Sequence, residues 1–144
     1  MAVDPNTIAL GVNSLVSANL SAATVTLNDV ILSSEKCPQV NVVIPGFSLL
    51  LERVGAPRTE KQYSIPVDLY HWGEEPRAAW QNMGALVNSV SAIFQNRDNR
   101  TLGGNVEMSR LASGEPIDAP SNQGGAGVYV GYRLIIEADT LETN

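Results

Sequence analysis

The stretch from Pro66 to Phe94, PVDLYHWGEEPRAAWQNMGALVNSVSAIF, changes its hydrophobic period midway. Up to Trp72 apolar residues alternate with others, as on a strand with one buried face. Beyond Pro76, Ala79, Trp80, Met83, Leu86, Val87, Val90, Ile93 and Phe94 recur at helical spacing and form one stripe. Pro76 suits a first helical position, and Glu74 and Glu75 lie where the helix dipole favours acids. A strand that feeds straight into a long amphipathic helix requires a sheet for that helix to cover. Trp80, on the stripe, is predicted to be core.

The other elements fit around this unit. Asp4-Pro5 pairs an N-cap residue with a first-turn proline, and Ile8, Val12, Leu15, Val16 and Leu20 predict a helix over 5–20. Ala23–Leu32 reads as a strand, or as a hairpin turning at Asn28-Asp29. Val40, Val42 and Ile44 alternate, as do Phe47, Leu49 and Leu51, with Pro45-Gly46 between them. That short gap predicts an antiparallel hairpin. In Gln62–Trp72, Tyr63, Ile65, Val67, Leu69 and His71 share a face. Pro66 within the run predicts an edge strand or a bulge. Val128–Ile136 alternates as a closing strand. Asn96–Ala126 is rich in Gly and lacks a long apolar stripe, although Asn105–Leu111 has the length of one short strand. The pattern predicts an α+β two-layer sandwich, an antiparallel or mixed sheet with two helices packed on one face and a long loop. Residues 1–144 read as a single domain, with 96–126 as a long flexible loop.

Chemistry-bearing residues are sparse. His71 is the lone His, near Glu74 and Glu75, and general acid–base work needs a convergent second group and a nucleophile or metal. Neither G-x-S-x-G nor H-E-x-x-H occurs, and the pairs Gly103-Gly104 and Gly124-Gly125 lack the Lys of a phosphate loop. One Cys makes neither an internal disulfide nor a metal cluster. The expectation is no enzyme, with no catalytic, cofactor-binding or metal residues and no cofactor. The remote alternative is a small enzyme or ligand binder using His71, Glu74 and Glu75. A net charge of −6 disfavours grip on nucleic acid. The opening MAVDPNTIALGV predicts no signal peptide, and no apolar run has membrane-spanning length.

The outer strand faces read as unusually apolar. Val43, Leu50, Val54, Tyr70, Trp72 and Ile135 alternate with the inward residues, and no third strong helix is available to cover them. A monomer seldom exposes a large apolar patch, so this face is a candidate subunit interface. Val106, Met108 and Leu111 add candidate contacts from the 96–126 segment, which is predicted to order against a partner.

An N-terminal helix, then CPQVNVVIPG, then QYSIPVDLYHW leading into a Trp-bearing helix, then VYVGYRLIIEAD, resembles the tail-terminator (tail-completion) proteins of long-tailed bacteriophages. The resemblance covers most of residues 5–139, and the 96–126 segment is long for that family. It implies a homo-oligomer, usually a hexameric ring, on the last ring of tail-tube protein. Such a ring ends tube polymerisation and offers a docking surface to the head–tail connector protein. It implies a virion location at the head-proximal end of the tail, assembly in the host cytoplasm, and neither a reaction nor a cofactor. Acidic charge suits a ring through which DNA passes without sequence-specific binding. The alternative within this class is a head–tail connector, neck or other tail-tube-related subunit.

Overall fold

Asp4 starts the first helix: its Oδ1 accepts the Thr7 N–H at 2.8 Å, and Pro5 follows in the first turn. The computed structural model describes residues 4–30, 36–51, 58–119 and 127–143. Helix α1 spans Pro5–Asn19 and α2 spans Pro76–Gln95. The strands are β1 (Thr24–Leu27), β2 (Gln39–Val42), β3 (Gly46–Leu51), β4 (Arg58–Gly73), β5 (Met108–Ile117) and β6 (Val128–Thr143). They form one mixed sheet in the order β1-β2-β4-β6-β5, with β3 also on β4. The fold is α+β, with the helices forming the second layer.

The β4–β6 pair is the spine, antiparallel and in unbroken register from Arg58 opposite Thr143 to Gly73 opposite Val128. Tyr63, Ile65, Val67 and Leu69 of β4 and Leu134, Ile136 and Ala138 of β6 are buried on the helix side. Ile8, Ala9, Val12 and Val16 of α1 and Ala79, Met83, Leu86, Val90, Ile93 and Phe94 of α2 complete the core. Trp80 is not part of it. It is 43% exposed, on the flank of the buried stripe.

Two strand expectations are corrected together. β2 and β3 form no hairpin. β2 lies against Val67–Tyr70 and β3 against Glu60–Ser64, both antiparallel to β4. They run end to end along one side of β4, and Pro45-Gly46 marks an interruption rather than a reversal. β4 is therefore interior, not an edge. Pro66 is tolerated there because it faces the interruption: its carbonyl accepts the Val43 N–H at 3.0 Å, and no donor is required of it.

The expected long loop over 96–126 is corrected for 96–119, while 120–126 lie outside the described residues. Arg97–Asn99 is a 3-10 turn, Leu102 and Val106 enter the core, and Met108–Ile117 is strand β5, paired antiparallel to β6. The register slips between Leu111 and Ser113, which shifts the alternation partway along the strand. Gly114 and Pro116 then mask the strand's ending, and an edge strand accommodates both.

Candidate functional site

The sheet face away from the helices was the candidate interface, and its character is more polar than the alternation suggested. Arg133 stands directly opposite Asp68 and donates from Nε to Oδ1 at 2.7 Å and from Nη2 to Oδ2 at 3.0 Å. The hydrogen bond to Asp68 raises the Arg133 pKa. Beside them, Arg110 donates to Glu137 at 2.7 Å and to Asp139 at 3.3 Å. These ion pairs occupy the middle of what reads as an apolar surface.

Of the predicted contact residues, Val43, Trp72 and Ile135 are half-buried, and Met108 is 46% exposed. Tyr70 is corrected: it is 5% exposed. Its cross-strand partner is Gly131, and the Tyr70 ring and Ile117 fill the space a Cβ there would take. Burial, then the charge of Asp68, pushes the Tyr70 phenol pKa up. Val106 is buried, and Leu111 is half-buried against the core. Leu50's side chain and Val54 lie outside the described residues.

Further along this face, Gln39 and Asn41 are buried polar residues with local partners. Thr26 Oγ1 donates to Asn41 Oδ1 at 3.0 Å, Asp29 N to the same oxygen at 2.9 Å, and Gln39 Nε2 to Thr26 Oγ1 at 3.2 Å. This network fastens the parallel β1–β2 pair.

His71 ends the inward face of β4. Its Nδ1 accepts the Trp72 N–H at 2.9 Å, and burial lowers the imidazole pKa below its ordinary 6.5. Glu74 and Glu75 line a nearby open cleft of about 590 Å³ with Trp72, Gly73, Ala78 and Asn82, and His71 does not line it. His71 therefore does not share this cleft with the two acids. Burial also pushes up the thiol pKa of Cys37, which weakens it as a nucleophile. Among the described residues, no group of three His, Cys, Asp or Glu side chains converges on a metal position. Among them, too, no helix is long and apolar enough to cross a membrane.

The sequence reading missed one exposed apolar pair. Phe47 and Leu49 of β3 are 53% and 45% exposed. They share the sheet face of Tyr63 and Lys61, but at an end the helices leave uncovered. The Phe47 ring centroid lies 5.6 Å from that of Tyr63, and Lys61 Nζ sits 4.7 Å from the Phe47 centroid. Alternation assigns both residues to an inward face correctly, but it carries no record of how far the helical layer extends. The chain matches no protein-family model and no curated protein sequence.

Proposed function

We propose that this chain is a structural subunit of a long-tailed phage virion, forming a ring that caps the tail tube. The ring ends tube polymerisation and presents a docking surface to the head–tail connector. The observation that carries this reading is the sheet end at β3, where Phe47 and Leu49 stand exposed on a strand whose only strand partner among the described residues is β4. Apolar side chains beside unpaired backbone are features of an assembling surface. Each subunit needs two different patches to close a ring, and β3 and the Thr140–Thr143 end of β6 lie on opposite sides of β4. The net charge of −6 favours passage of DNA over retention. The engaged Nδ1 of His71 also fits a residue with a local role.

Electron microscopy of the purified protein, with its mass in solution, tests the reading. Rings with a central hole are expected, together with tubes of fixed length when the ring is added to polymerising tube protein. A 15.4 kDa monomer at every concentration would overturn the ring. Rings that bind the head connector but leave tube length unchanged would shift the assignment to a neck subunit.

A further inference from the structure

We infer that the ring closes through the ribbon β3–β4–β6, with β3 of one copy lying parallel to the Thr140–Thr143 stretch of β6 in the next. This rests on the ring reading and names the contact that would hold it.

The edges of the sheet are unequally defended. β1 is four residues long. β5 carries Arg110, Glu115, Pro116 and a register slip, each of which discourages pairing with another chain. β3 has only a register slip, between Leu49 and Leu51: GFSLLL contains no charge and no proline. Among the described residues its only strand partner is β4. A second free edge lies across the same ribbon. β5 leaves β6 at Met108 opposite Asp139, with Glu107 N donating to Asp139 O at 2.9 Å. Beyond that point Thr140–Thr143 pairs only with β4 among the described residues.

Direction, level and charge select the occupant. β3 and β6 both run antiparallel to β4, so they run the same way as each other. Rotation about a ring axis that runs along the strands preserves that direction and brings them together in parallel. Leu49 and Thr140 both stand opposite Lys61, so they lie at one level of the ribbon. Rotation without stagger sets Leu49 of one copy beside Thr140 of the next, which is 4% exposed in the single subunit, so the neighbouring strand approaches along the backbone between Thr140 and the half-buried Leu141. The β3 side carries Lys61 over Phe47. On the β6 side, Glu107 and Asp139, which already holds Arg110, line a cleft of about 210 Å³ with Glu60 of β4, Thr140 and Leu141. A head-to-tail contact sets the lysine side against carboxylates. A twofold β3–β3 contact would bring two Lys61 side chains together and stop at a dimer.

Cysteine pairing tests the contact on the full chain. In a Cys37→Ser background, Leu49→Cys is combined with Thr140→Cys or, to allow for stagger, with Leu141→Cys. Oxidation is expected to give a ladder of cross-linked species up to ring size, because a disulfide requires Cα atoms within about 7 Å. Leu49→Cys alone should stay uncross-linked, and a covalent dimer from it would establish the twofold contact and overturn the inference. Phe47→Lys and Leu49→Lys replace exposed side chains, so a normal circular dichroism spectrum is expected with a ring dissociation constant raised about tenfold or more. Lys61→Glu and Glu107→Lys should each weaken the ring, and their combination should restore it. Wild-type ring stability in both β3 lysine variants would overturn the contact while leaving the ring reading in place. A wild-type chain that never forms rings would remove the ring reading and this contact with it.

Discussion

Arg133 forks onto Asp68 across the β4–β6 pair, with the carboxylate almost fully buried and the guanidinium 37% exposed. The two partners therefore differ in what their removal leaves behind. Arg133→Ala strands a buried carboxylate, and a loss of about 2 kcal/mol is expected, below the ~3–5 kcal/mol of fully buried pairs because water reaches the guanidinium. Asp68→Ala leaves a cation that can turn to solvent, and a loss of about 1 kcal/mol is expected. Urea denaturation of both variants measures the asymmetry. Equal losses would show that the carboxylate does not depend on its partner.

Helix α2 gives a second contrast. Trp80→Ala should change stability by no more than about 0.5 kcal/mol, as exposed substitutions do. Met83→Ala, buried one turn away, should lose ~2–5 kcal/mol. Thermal melts of the two variants compare them directly, and a Trp80→Ala loss as large as that of Met83→Ala would place the indole in the core. The sequence reading placed Trp80 inside because one residue turns a helix by about 100°, so the neighbour of Ala79 falls on the margin of the stripe. Whether a margin is covered depends on neighbouring elements. Val87, on the same flank, is half-buried.

The same distinction governs the rest of the fold. Asp4, Pro5 and Pro76 declare both helix starts, and alternation from Tyr63 to Leu69 declares the spine, because these are local signals. Three features depend on residues distant in sequence. The pairing of β2 and β3 with one side of β4 depends on Pro66 facing their interruption. The burial of Tyr70 depends on Gly131 opposite it. β5 depends on β6 to template a strand whose alternation slips after Leu111. The outer sheet face was therefore legible, but the ion pairs across it and the exposed Phe47 and Leu49 at the β3 end were not.

His71 predicts a pH dependence. Its folded pKa lies below the ordinary 6.5, because burial disfavours the imidazolium. Between the folded and unfolded values the unfolded chain binds more protons, so stability falls as pH drops through 6.5 and levels off below the folded value. Above 6.5 this group contributes no slope. His71→Asn retains an acceptor for the Trp72 N–H and removes the titration. Urea midpoints at about pH 7.5 and about pH 5.5 should differ less in this variant than in the wild type. An identical difference in both proteins would assign the slope to other groups. His71→Ala with Glu75→Gln should still assemble, and a lost turnover in that double variant would count against the ring reading.

The last prediction concerns the segment after α2. A mobile connector tolerates replacement by a short Gly-Ser link, but this segment is built into the monomer. Leu102 and Val106 are buried, and β5 pairs with β6. Replacing residues 101–117 should therefore unfold or aggregate the chain, because it removes core side chains and bares a long stretch of β6. Leu102→Ala isolates the core contribution, and a loss of ~2–5 kcal/mol is expected. Hydrogen exchange on the free subunit separates the two views without any deletion. Amides of β5 that point to β6 should exchange slowly, while those on its open side exchange fast, as on an edge strand. Uniformly fast exchange across Met108–Ile117 in the free subunit would mean that β5 forms only on assembly.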